Sequence, residues 1–198
     1  MRWSCDRTGF PYLHLEGLAV AVLPVTKVGF ERFLADPAGP GEDWYAELLA
    51  ANPRTSWRTP NGRDEGLFLT GVTPDETQTF LRWLGPTYRL PTAVEWRSMD
   101  ASIGSEPLDD VWTAMSESRV VCLPARTLIG AHVNARRRMR LDGGVMEWVT
   151  TFRHKHGGFG RPRPEFFHVL LNPRIHEPVQ PIGAGRHAAF GFRAVRPI

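Results

Sequence analysis

The sequence is short of cysteine, of lysine and of long apolar runs. Cys5 and Cys122 are its two cysteines among 198 residues, and no CxxC pair or Cys/His cluster at ligand spacing accompanies them. Two thiols cannot build a disulfide framework, and a structural zinc ion has no ligand set, so both read as buried free thiols. The longest apolar run, Gly17 to Val25, falls well below the ~20 residues that cross a bilayer. No basic region leads into an apolar segment and a small-residue cleavage site, so the expectation is a cytoplasmic protein with no membrane partner. Lys27 and Lys155 are the two lysines among 24 basic residues, and arginine carries the rest. That bias reads first as codon usage, with bidentate pairing to carboxylate or phosphate as the alternative. The net charge of +3 describes a solvated surface more than a nucleic-acid binder. Serine has no GxSxG elbow, and phosphate-loop and dinucleotide fingerprints are absent.

What is present suits one globular domain. Hydrophobic residues make up 42% and charged residues 23%, while 7 Trp, 19 Gly and 17 Pro indicate an aromatic core threaded by turns and exclude long helical bundles. Leu15 to Pro24 reads as a buried strand, and Thr26 caps a helix carrying Phe30, Phe33 and Leu34 until Pro37 stops it. Trp44 to Leu49 suggests a second short helix. Thr73-Pro74-Asp75-Glu76 is a capping box that opens a helix through Phe80, Leu81, Trp83 and Leu84, ended by Gly85-Pro86. Thr92-Ala93-Val94-Glu95 is another, opening a helix with Trp96 and Met99. Weaker strand signals lie near Val111, Arg119 to Leu123 and Thr127 to Ile129. From Phe152 to Arg186, ten prolines and glycines interrupt the pattern, so this tail is expected to be dominated by loops.

Four segments carry a family likeness. They are Leu23-Pro24-Val25-Thr26 before its helix; Val72 to Trp96, with Trp83-Leu84-Gly85 and then Arg89-Leu90-Pro91-Thr92-Ala93-Val94-Glu95-Trp96; Leu141-Asp142-Gly143-Gly144-Val145-Met146-Glu147-Trp148; and Phe190-Gly191-Phe192-Arg193. Their order and content resemble the formylglycine-generating enzyme, or sulfatase-modifying factor, family over about Leu18 to Val195. The resemblance implies an α+β, C-type lectin-like fold with short helices around small antiparallel sheets. The residues agree independently: Arg89 and Arg193 flank apolar positions and need carboxylate partners, for which Glu95 and Glu147 are suited. Arg89, Glu95, Trp96, Glu147, Trp148 and Arg193 are therefore expected to be structural.

The oxidases of that family hold copper through two late cysteines, and the matching stretch here, after Gly157-Gly158-Phe159, has none. A soft copper(I) ion lacks its thiolates. Relatives that make sulfoxides carry iron on an additional helical domain, for which this chain has no room. No catalytic residue and no cofactor are therefore assigned. Calcium, which relatives hold with oxygen ligands, stays open through Asn134, Asp142 and Glu147, although Gly144 replaces the family's Asn.

The expected function is a non-catalytic module that takes a protein or small-molecule ligand on a C-terminal loop face, about 152–187. Arg153, His154, His156, Phe159, Arg161 and Arg163 lie there, followed by Phe166, Phe167, His168, Arg174 and His176, and interleaved arginine and aromatic residues are the composition of binding hot spots. Pinning of the loops to the core is the alternative role for these phenylalanines. Two contexts fit: a variable protein of a diversity-generating retroelement, or a recognition subunit of a bacterial signalling or defence system. The competing reading is an oxidase-like enzyme with a replaced metal site, using His154, His156 or His168 with Glu147 or Glu165. The run Arg136 to Arg140 adds nucleic acid as a weaker partner.

Overall fold

A computed structural model describes residues 2–41, 43–44, 46, 69–105, 146–155, 163–172, 177–179 and 190–198. Among these residues the chain is a mixed α+β structure of helices and small, mostly antiparallel sheets. The first sheet has strand order β1-β2-β3-β8. Its strands are β1 (Arg2–Cys5), β2 (Pro11–Leu15), β3 (Leu18–Ala21) and β8 (Val195–Pro197).

Local chemistry sets the two hairpins. Asp6 Oδ1 accepts from the Thr8 amide at 2.8 Å, the Thr8 hydroxyl at 2.6 Å and the Phe10 amide at 3.0 Å, and Gly9 takes the left-handed φ of 79° that closes this turn. Leu15 pairs with Leu18 across a two-residue turn in which Glu16 and Gly17 have φ of 45° and 84°, the positive values that match the twist of a tight hairpin. The expected single strand from Leu15 to Pro24 is thus corrected. A hairpin turns within it, β1 and β2 precede it, and Val22 to Val25 continue as buried non-strand chain.

Helices among the described residues include α1 (Lys27–Leu34), α2 (Pro74–Leu84) and α3 (Ala93–Ser105). Thr26 Oγ1 accepts the Gly29 amide at 3.1 Å to cap α1. At α2 the Thr73 side chain accepts the Glu76 amide while Glu76 accepts the Thr73 amide at 2.8 Å. At α3 the Thr92 and Glu95 side chains make the same exchange, at 2.8 and 3.1 Å. Phe30 and Phe33 of α1 pack on Phe80 of α2 with ring centroids 5.4 and 5.5 Å apart, and Phe192 meets Phe80 at 5.6 Å. This aromatic cluster, with Leu69, Val72, Leu81 and Leu90, is the core that joins the helices to the first sheet.

The second sheet has order β6-β5-β4-β7, made of β4 (Met146–Lys155), β5 (Arg163–Asn172), β6 (Glu177–Val179) and β7 (Phe190–Gly191). β7 runs parallel to β4 and the other pairings are antiparallel. The expectation of a loop-dominated tail is corrected over 152–155, 163–172 and 177–179, which are strand, with β4 and β5 in continuous register; the rest of the tail lies outside the described residues. Pro164 sits one residue into β5 and Pro178 in the outermost strand β6, two positions where a missing N–H is tolerated. The strand signals near 111, 119–123 and 127–129, the basic run 136–140 and most of the expected helix after Trp44 lie outside the described residues. No helix among the described residues is long and apolar enough to cross a membrane.

Candidate functional site

The four motif segments converge on one another. The Val25 amide donates to the Phe192 carbonyl at 2.8 Å, the Leu69 amide to the Val25 carbonyl at 2.8 Å, and the Gly71 amide to the Phe190 carbonyl at 2.9 Å. The Trp148 indole N–H donates to the Val72 carbonyl at 2.8 Å. At the centre, Arg193 donates through Nε and Nη2 to the two carboxylate oxygens of Glu147, each at 2.6 Å. Both side chains are 0% exposed. The Trp96 indole N–H also donates to Glu147 Oε2 at 3.0 Å, and its ring stands 5.5 Å from the guanidinium carbon. A buried carboxylate this fully engaged is a structural junction, in which charge-assisted bonds compensate the loss of water.

Arg89 and Glu95 form a second, more open fork, with Nη1 and Nη2 donating to Oε2 and Oε1 at 2.8 and 2.6 Å. The hydrogen bonds that Arg89 donates to Glu95 raise the affinity of its guanidinium for its proton. Burial pushes Glu95 up, but the hydrogen bonds from Arg89 and Thr92 outweigh it and hold the carboxyl below its ordinary range. The Arg89 backbone exchanges two 2.9 Å hydrogen bonds with Val195, which ties this fork to the last strand. Neither ion pair offers an unengaged carboxylate for chemistry.

These contacts bear on the calcium reading. Glu147 presents no open oxygen to a cation, since Arg193 and Trp96 occupy both, and it is withdrawn as a calcium ligand. Asn134 and Asp142 lie outside the described residues. Among the described residues no group of three or more His, Cys, Asp or Glu is placed to hold a metal ion. Cys5, expected to be buried, is exposed at the end of the outermost strand of the first sheet, and Cys122 is outside the described residues.

The C-terminal face is seen through the register of β4 and β5. Arg153 lies opposite Glu165, His154 opposite Pro164, Phe152 opposite Phe166, Thr151 opposite Phe167 and Thr150 opposite His168. His154 and His168 thus stand four register positions apart along the β4–β5 pair. Glu165 shares the face of Arg153, opposite to that of His154. Glu147 of the enzyme reading is bound to Arg193. Arg163 pairs with Lys155 at the far end of the hairpin. His156, Phe159, Arg161, Arg174 and His176 lie outside the described residues.

Sequence reasoning missed a further polar group, in which Ser4, His14 and Arg196 come together from three strands of the first sheet. Burial, then the charges of Arg196 and Arg2, push the His14 imidazole down from its ordinary pKa. Residues from opposite ends of a chain carry no motif spacing, so nothing in the one-dimensional pattern marked them. Compared with protein-family models, curated proteins and solved structures, the chain matches none.

Proposed function

We propose that this chain is a non-catalytic binding module on a scaffold of the formylglycine-generating enzyme and C-type lectin type, taking its protein or small-molecule ligand on the segment 152–187. The observation that carries this reading is the mutual engagement of the motif segments. Glu147 is consumed by Arg193 and Trp96, and Glu95 by Arg89, so the charged residues of the motifs support a scaffold. The missing cysteine pair withdraws the copper chemistry of the family, while β4 and β5 carry arginine, histidine and phenylalanine positions in ten-residue strands anchored by buried Trp148 and Val149. Rigid elements presenting variable positions are a favourable base for recognition. A diversified protein of a retroelement and a recognition subunit in signalling or defence are the two settings that such a surface suits.

The test is elemental analysis of the purified protein combined with an assay for oxidation of a cysteine-containing peptide. Substoichiometric copper and iron and no turnover are expected. Stoichiometric metal, or conversion of the peptide, overturns the proposal in favour of an enzyme with a replaced site.

A further inference from the structure

The first sheet carries a cationic row that the binding-module reading does not use. Arg2 lies opposite His14, His14 opposite Ala19 and Ala19 opposite Arg196, so the four positions share one face across β1, β2, β3 and β8. Alanine at the middle position leaves space for the long arginine to lie across the sheet. Arg196 Nη2 donates to Ser4 Oγ at 3.1 Å, and His14 Nε2 is 2.9 Å from the same hydroxyl. The Tyr88 ring stands 5.8 Å from the Arg196 guanidinium carbon.

Two features mark the group as incomplete. Arg196 Nε and His14 Nδ1 are buried without a hydrogen-bond partner, a costly condition for groups that normally find one. The ion pairs among the described residues join Arg7 to Asp36, Arg89 to Glu95 and Arg193 to Glu147, and none reaches Arg2 or Arg196. The nearby carboxylate of Asp6 is taken up by Thr8, Phe10 and the Tyr12 hydroxyl. The Arg196 guanidinium, the His14 imidazole and the Ser4 hydroxyl thus meet, with Arg2 at the adjoining position of the same face, and among the described residues no carboxylate pairs with them.

We propose that Arg2, Ser4, His14 and Arg196 form a binding site for a phosphate group. A tetrahedral anion accepts hydrogen bonds from several directions, which matches donors arriving from three strands better than a planar carboxylate does. Its charge also favours the protonated imidazole, in which both ring nitrogens donate. The site stands on the first sheet, whereas the strands of the segment 152–187 belong to the second, so its success or failure leaves the binding-module reading untouched.

The experiment is a titration of the full chain at constant ionic strength with inorganic phosphate, with glycerol 2-phosphate and with acetate, followed by NMR of the His14 ring and arginine Nε–H signals. Saturable shifts with either phosphate compound, and weaker ones with acetate, are expected. Tighter binding of the ester would identify a phosphorylated compound as the ligand, and tighter binding of inorganic phosphate the free ion. Arg2→Gln, a change at an exposed residue, should weaken binding about three- to tenfold with near-UV circular dichroism unchanged. Ser4→Ala should weaken it as well. Shifts that never saturate, equal responses to acetate and phosphate, or an unaltered affinity in Arg2→Gln would overturn the site.

Discussion

Glu147 is the residue on which the motif segments depend most. It accepts from Arg193 on β7's continuation and from Trp96 on α3, and all three side chains are buried. Removing one partner of such a pair leaves the other charge desolvated and uncompensated. Glu147→Leu and Arg193→Leu should each cost about 3–5 kcal/mol, and the double replacement clearly less than the sum. Urea unfolding of the four proteins of this cycle measures the coupling. Arg89 and Glu95 differ because their side chains are 40% and 25% exposed, so solvent reduces the pair to about 1 kcal/mol or less. The folded Glu95 carboxyl titrates below its ordinary value of 4.5, so its contribution is present above that pH and lost as pH falls through the folded value. The stability gap between the wild type and Glu95→Gln should therefore be largest near neutrality and shrink in acid. A gap that widened on acidification would contradict this assignment.

At the scale of elements, capping explains why the helices were the most legible part of the chain. Thr26, Thr73 and Thr92 each satisfy amides that a helix start leaves open, and their partners lie within three residues, so the signal is local. Thr73→Ala should cost about 1 kcal/mol in urea unfolding and Thr73→Ser little. Glu76→Ala should cost more, about 2 kcal/mol, because the same carboxylate also accepts from the Trp44 indole at 2.7 Å. Strands were read less well. β1 and β2 are short and mixed in polarity, and their hairpin rests on Asp6 gathering three donors. The proline- and glycine-rich tail pointed to loops, yet β4 and β5 pair over nine positions, from Glu147 with Leu171 to Lys155 with Arg163. Pairing between strands stabilises segments whose local pattern is interrupted, because each strand is judged by its neighbour as well as its own composition.

For the molecule as a whole, the last strand closes a sheet begun at the first. β8 pairs with β3, Val195 is fully buried, and its backbone exchanges two hydrogen bonds with Arg89. Deleting Val195 to Ile198 should remove several kcal/mol, since it exposes an apolar side chain, opens an edge of the sheet and unties the Arg89 segment. Loss of the near-UV tryptophan signal at room temperature, or a steep fall in the unfolding midpoint, is the expected readout. An unchanged midpoint would show that β8 adds nothing to the sheet. The residues that make up the candidate scaffold were legible in Arg89-Leu90-Pro91-Thr92, Glu147-Trp148 and Phe190 to Arg193, because buried arginines demand carboxylates and Glu95 and Glu147 stand within the same motifs. Helix starts and stops, the aromatic richness of the core and the absence of a cysteine pair follow from the order of residues alone, since each depends on neighbours a few positions away or on composition. Partners far apart in the chain are another matter. Which carboxylate Arg193 takes, the β4–β5 hairpin and the meeting of Ser4, His14 and Arg196 depend on folding, because sequence separations of up to 192 residues leave no periodic trace.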